Sequence, residues 1–333
     1  GARPATRRRH LAVVGVAVVL LVAALVAGLL LGDRLLLTGD VVNWLAGTSG
    51  RQVSFVLDQR VPRVLAALLA GAALGLAGTS VQAVARNPLA EPSLLGVTGG
   101  AGLGAVTAAV LVPAASLWST SLGAVVGALA TFALVYRLAS RRGLSSDRLV
   151  LVGIGTSAAA ASLITLVVVA TNPWNTTMAL TFLSGSTYGR TAAQVWPVAA
   201  VLLVLTPLVV RWRRDLDVLA VDDDLPRVLG VRLERTRLGV LVVTALLTAA
   251  AVTAVGVVGF VGLVAPHLAR ALVGSRHARV VPVAMLLGAL VLSVADTLGR
   301  TVLAPTQVPA GLVTALIGTP YFVVLLWRSR RAG

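Results

Sequence analysis

The side chains able to do chemistry are few and fall into small groups. Asp296 and Arg300 sit four apart inside an otherwise apolar run, so on a helix they share a face and can pair. An ionisable pair at membrane depth points to function, and one lying at the interface merely satisfies itself. Arg60 and Arg63 flank Pro62, and with Arg300 they make three guanidiniums near helix ends, suited to an acidic partner or to interfacial snorkelling. Asp215, Asp217 and the run Asp222, Asp223, Asp224 precede Leu225, Pro226, Arg227, Val228, Leu229 and Gly230. There Asp224 can cap a short helix, Pro226 suits its first turn and Gly230 can end it. Leu225, Val228 and Leu229 would form one small apolar face, either a solvated connector or a docking knob for a cytoplasmic partner. A metal is a poor fit, because consecutive Asp side chains diverge on a helix. His267 follows Pro266 with no further ligand nearby, which reads as a hydrogen-bonded group at a kink. Glu91 and Asp147 suit caps or interfaces better than a proton relay, and no nucleophile, base and acid occur as a set.

The missing residue types exclude more. With no cysteine there is no disulfide, iron–sulfur cluster or thiolate zinc site. All 28 basic residues are Arg, and without Lys the chain can form neither a P-loop nor a Schiff base. It therefore hydrolyses no ATP through that motif. A net charge of +16 could suit nucleic acid or a membrane surface, but 57% hydrophobic and 12% charged residues exclude a soluble fold. Basic residues are not interleaved with aromatics, which also favours the membrane.

The elements that must position these groups are apolar helices. Ten segments are predicted: Leu11–Leu31, Val61–Ala85, Leu94–Val112, Leu117–Ala139, Leu149–Ala170, Ala192–Val210, Leu238–Val258, the short Phe260–Val273, Val280–Leu303 and Val308–Trp327. The first follows Arg7 to His10 but no small-residue cleavage site follows it, so it reads as a retained helix rather than a signal peptide. An even number of spans puts both termini on one side. Assigning each Arg to an end gives 22 on the side of the termini and 6 (Arg34, Arg51, Arg60, Arg63, Arg190, Arg300) on the other, which makes the termini cytoplasmic. The expected organisation is a cytoplasmic tail over 1–10, a membrane domain over 11–327 with a cytoplasmic loop at 212–237, and a tail over 328–333. Gly71 and Gly75, and Gly96, Gly100 and Gly104, repeat every four residues, as close helix packing within one bundle, a dimer seam or a pore wall requires.

Four stretches carry a resemblance: RVPRVL from Arg60, QAVARNPLAEPSLLGVTGG from Gln82, GFVGLVAPHLAR from Gly259 and GLVTALIGTP from Gly311. They resemble, in order and over residues 11 to 327, the FecCD family, permeases of type II ABC importers for ferric siderophores, haem and vitamin B12. The resemblance implies an all-α polytopic fold of ten transmembrane helices, like the vitamin B12 importer permease, in a bacterial inner membrane. It implies a second permease subunit, identical or homologous, two cytoplasmic ATPases that hold ATP and Mg, an extracytoplasmic binding protein, and no cofactor on this chain. It turns the segment Asp222–Gly230 into an ATPase-coupling element, and Arg60, Arg63 and Arg300 into docking residues for acidic groups of the binding protein. By alignment, a cytoplasmic gate would involve Ser146 and Asp147, although the family usually has small hydroxyl residues there. Val257 stands where the family has proline, which is expected to remove a kink. A ferric siderophore is the expected cargo, ahead of haem or cobalamin. An ion-coupled secondary transporter is the rival, and it would need carboxylates at the midplane of several helices.

Overall fold

A computed structural model describes residues 4–112, 116–140, 146–171, 180–220 and 233–331. The described residues contain helices and no strand: α1 (Pro4–Leu30), α2 (Thr38–Leu45), α3 (Arg51–Ala85), α4 (Val97–Leu111), α5 (Leu117–Ala139), α6 (Ser146–Val169), α7 (Ala192–Arg211), α8 (Arg213–Leu219), α9 (Leu233–Val255), α10 (Val261–Val273), α11 (His277–Thr301) and α12 (Ala310–Arg331). Seven of them, α1, α3, α5, α6, α7, α9 and α11, are long and apolar enough to cross a bilayer. Val97–Leu111, Val261–Val273 and Ala310–Val324 are shorter apolar helices. All seven long and three short apolar helices fall on the predicted segments.

Two boundaries differ for physical reasons. α3 begins at Arg51, ten residues before the apolar run, so Arg60 and Arg63 lie in its third and fourth turns rather than at its start. The stretch from Leu94 is interrupted by a 3₁₀ turn at Pro92–Leu95 and by Gly96, whose φ of 71° favours glycine, before α4 starts. The expected loss of a kink at Val257 does not occur. α9 stops at Val255, Gly256 takes φ 75°, and a Cβ there would lie 2.3 Å from the Phe182 carbonyl oxygen. The helix thus ends at a glycine of positive φ, with no proline at the break.

α3 and α9 form the centre, with 83% and 78% of their apolar windows buried, whereas α1 and α6 are peripheral at 11% and 17%. Lipid offers no hydrophobic drive between helices, so small residues that let backbones approach carry the packing. A Cβ on Gly71 or Gly75 of α3 would lie 2.3 Å from the carbonyl oxygen of Gly288 or Ala284 on α11. Gly100 and Gly104 of α4 meet Gly127 and Gly123 of α5 in the same way. These glycine repeats therefore pack helices within one subunit. Buried hydroxyls on α9 are satisfied along the helix, Thr244 donating to Val240 O and Thr248 to Thr244 O, both at 2.8 Å.

Candidate functional site

Asp296, Arg60, Arg63 and Arg300 gather at one end of the bundle. Asp296 on α11 is 1% exposed, and Arg63 on α3 engages it with Nε 2.9 Å from Oδ1 and 3.2 Å from Oδ2. Arg63 Nη2 lies 2.9 Å from the same Oδ1, and its Nη1 donates to Gln307 Oε1 at 2.6 Å. Thr187 Oγ1 also donates to Asp296 Oδ1. The i,i+4 partner Arg300 comes second, its Nε 3.8 Å from Oδ2 and outside hydrogen-bond reach. Arg300 Nη2 donates instead to the Gly28 carbonyl of α1. One buried carboxylate thus binds α3, α11 and the loop carrying Thr187, while Arg300 extends the network to α1.

Arg60 closes the end of α1. A helix C-terminus leaves carbonyls without partners and carries the negative end of the dipole, so a guanidinium there is doubly favoured. Arg60 Nη1 donates to Leu29 O at 2.8 Å and Leu30 O at 3.2 Å, and Nη2 donates to Arg34 O at 2.5 Å and reaches Asp33 Oδ1 at 3.4 Å. Gly32 leaves the necessary space, since a Cβ there would lie 2.6 Å from Arg60 Nη2. Arg60, Arg63 and Arg300 are accordingly 5%, 8% and 3% exposed, less open than three snorkelling side chains would be.

These three arginines line one cavity of about 660 Å³ together with Asp33, Asp58, Arg190 and Gln307. Asp58 is exposed and accepts from Trp44 Nε1 at 3.0 Å. Arg190 reaches the cavity because its loop is wired into the core. Gly185 (φ 70°) accepts from Gly311 N–H at 2.8 Å, and Phe182 O accepts from Val257 N–H at 3.0 Å. Sequence reasoning counted Arg190 only among the minority-side arginines and missed Thr187 and Gln307. Scarcity of arginine on that side was the available signal for Arg190, whereas neutral residues in loops gave none.

The opposite end holds the described start of the expected coupling loop. α8 buries Leu216 and Leu219 fully, and its Asp217 Oδ1 accepts from both the backbone N–H of His277 and sits 2.7 Å from His277 Nδ1, tying α8 to the start of α11. Burial alone would raise the Asp217 pKa, but the hydrogen bonds from the His277 ring and backbone and the neighbouring Arg276 charge outweigh it and hold it below the ordinary value. A lowered pKa means stability present above the unfolded value and lost as pH falls through the folded one. The difference in melting temperature between the wild type and Asp217→Asn is therefore expected to be full above the unfolded carboxylate value of about 4 and to shrink as pH falls through the lower folded value. Thermal unfolding in detergent across that range checks it, and a pH-independent difference would remove the carboxylate from the explanation.

Glu91 works as a cap at the start of α10. Its Oε1 accepts from the Phe260 N–H at 2.6 Å, where Phe260 takes φ 68° just before α10, and Ser93 Oγ donates to Oε2 at 3.2 Å. Burial raises the Glu91 pKa against the pull of these two bonds. His267 packs edge-on against Tyr321 with ring centroids 6.0 Å apart, and no cluster of metal-binding side chains occurs among the described residues. Ser146 opens α6 and Asp147, in its first turn, is exposed. The predicted coupling residues Asp222, Asp223, Asp224, Leu225, Arg227, Val228, Leu229 and Gly230 lie outside the described residues.

Apolar helices of membrane length, close-packed through glycine, with a buried ionic network at one end, define a polytopic helical membrane protein. The chain matches the FecCD transport family over residues 10–328 and belongs to it. It is 39% identical over 290 residues to the Fe(3+) dicitrate transport system permease protein FecD of Escherichia coli (strain K12), covering 87% of this chain and 90% of that one. It is 36% identical over 319 residues to the achromobactin transport system permease protein CbrC of Dickeya dadantii (strain 3937), covering 95% and 91%. Among solved structures, an inward-facing conformation of a metal-chelate type ABC transporter superposes with a TM-score of 0.84 at 28% identity, covering 96% of this chain and 99% of that chain.

Proposed function

We propose that this chain forms the translocation pathway of an ATP-driven importer for a ferric siderophore. The observation that carries the reading is the family match across nearly the whole chain, joined to relatives named for ferric dicitrate and achromobactin transport. Ten spans with both termini cytoplasmic accord with the seven long and three short apolar helices and with the arginine distribution. The membrane domain then covers 11–327, with the coupling loop at 212–237. A second permease subunit, identical or homologous, completes the pathway, and two cytoplasmic ATPases bind ATP and Mg.

The work is conformational, since this chain makes and breaks no covalent bond. An extracytoplasmic binding protein brings the chelate to the cavity bearing Arg60, Arg63 and Arg300. The four arginines lining the cavity outnumber Asp33, Asp58 and the Asp296 beneath it, so the cavity still attracts acidic groups. ATP closes the ATPase pair, and the segment Asp222–Gly230 passes that motion to the helices. α8, bound to the start of α11 through Asp217 and His277, offers a rigid base for that transfer, and Ser146 and Asp147 at the start of α6 form the cytoplasmic gate.

The test is ATPase activity in nanodiscs holding this chain with its cytoplasmic ATPase, with and without deletion of Asp222–Gly230. The expected result is loss of co-purification and of substrate-stimulated hydrolysis in the deletion. Normal transport by this chain with no ATPase present would overturn the reading and turn attention to the intramembrane charges.

A further inference from the structure

Four guanidiniums surround the cavity, and they are not equivalent. Arg60 has Asp33 at 3.4 Å, Arg63 has Asp296 at 2.9 Å, and Arg300 shares Asp296 at 3.8 Å. Arg190 has no carboxylate partner among the described residues. Its Nε and Nη2 both donate to one acceptor, the Ser186 carbonyl oxygen, at 3.0 and 2.9 Å, and its Nη1 makes no hydrogen bond among the described residues. A carbonyl holds a guanidinium in place without neutralising it. The cavity lining counts four Arg against Asp33 and Asp58, and Asp296 beneath it brings the balance to 4 − 3 = +1.

Burial with no compensating charge pushes the Arg190 pKa down to about 10, so the group is still cationic at neutral pH and pays for its desolvation. A partner's carboxylate would offset that cost. The loop leaves room for one: Tyr188 beside it is 63% exposed, and at Gly189 an added Cβ would meet nothing within 4 Å. We infer that Arg190 is a further cation of this cavity, beside Arg60, Arg63 and Arg300, that takes an acidic side chain of the extracytoplasmic binding protein. This rests on the docking reading of the cavity. A protein carboxylate fits better than the chelate itself. With one edge of the guanidinium held by Ser186 O and the other arginines engaged, the free donors suit a single carboxylate, whereas a large anionic chelate would call on several.

The chain contains no cysteine, so Arg190→Cys supplies its only thiol. Binding of the importer's own binding protein is measured on nanodiscs holding the whole transporter, before and after treatment with a methanethiosulfonate that adds an aminoethyl cation or a neutral methyl group. The expected result is a loss of tenfold or more in affinity, of the order found when one partner of an interfacial charge pair is removed. The aminoethyl group restores most of it and the methyl group none. Because one folded preparation is compared before and after labelling, misfolding cannot imitate that pattern. Wild-type affinity in the unlabelled variant, or equal effects of the two labels, would overturn the inference. So would unchanged affinity with a raised half-saturating chelate concentration for uptake, which would make Arg190 a cargo contact. A wild-type transporter that recruits no binding protein would instead sink the docking reading, an outcome visible before any variant is made.

Discussion

Asp296→Ala is expected to destabilise the protein by about 3–5 kcal/mol, the range for removing one partner of a buried ion pair. The carboxylate holds Arg63 by three contacts within 3.2 Å, accepts from Thr187 and lies 3.8 Å from Arg300. Without it two buried guanidiniums face each other with carbonyl and amide oxygens alone to hold them. The expected readout is a lowered melting temperature and a poor yield of folded protein in detergent. Asp296→Asn keeps an acceptor for Thr187 but loses the charge, so it should fall between the wild type and the alanine variant. The pair Arg63→Met with Asp296→Leu should recover much of the loss, because it removes both desolvation costs together. Wild-type melting of Asp296→Ala would show that the pair does not hold these helices. The Asn variant also separates the rival mechanism: a proton-driven transporter would lose transport completely while keeping normal affinity for a binding protein, whereas an importer of the proposed kind should only dock more weakly.

Gly71→Val should be nearly as damaging, by about 1–3 kcal/mol or more, the range for overpacking a close-packed interior. A Cβ at Gly71 would lie 2.3 Å from Gly288 O, 2.7 Å from Gly288 C and 2.8 Å from Ala289 Cα. All three are backbone atoms of α11, so no side chain can swing away and the two helices must separate. That separation also stretches the Arg63–Asp296 contact, which joins the same pair, and the two variants should therefore not be additive. Gly15→Val on α1 is the control, because nothing lies within 4 Å of its added Cβ. Melting temperatures of the two variants in the same detergent decide the matter, and equal effects would mean that α3 and α11 are not held at this spacing.

The membrane class and the apolar segments, seven of them long helices and three short, were readable from residue types and runs. The pairing of Asp296 with Arg300 was readable too, because four residues on a helix always share a face. It was not the main pairing. Arg63, 233 positions away, is nearer, and no local pattern announces a partner at that separation. Arg60 and Arg63 were legible as unusual cations, but their exposure was not, since it depends on the end of α1 being folded against them. Val257 misled because a proline is one way to break a helix, and Gly256 with its positive φ is another.

The sequence by itself determined that the chain is a bundle of membrane helices and that, having no Lys, it lacks a P-loop of its own. Each of these follows from composition or from periods of a few residues, which survive any rearrangement of the helices. Only the tertiary structure decided which cations are matched and which, as with Arg190, is left without a carboxylate. Matching is set by which helix ends pack together, and that depends on glycine contacts such as Gly71 with Gly288, between segments far apart in the chain.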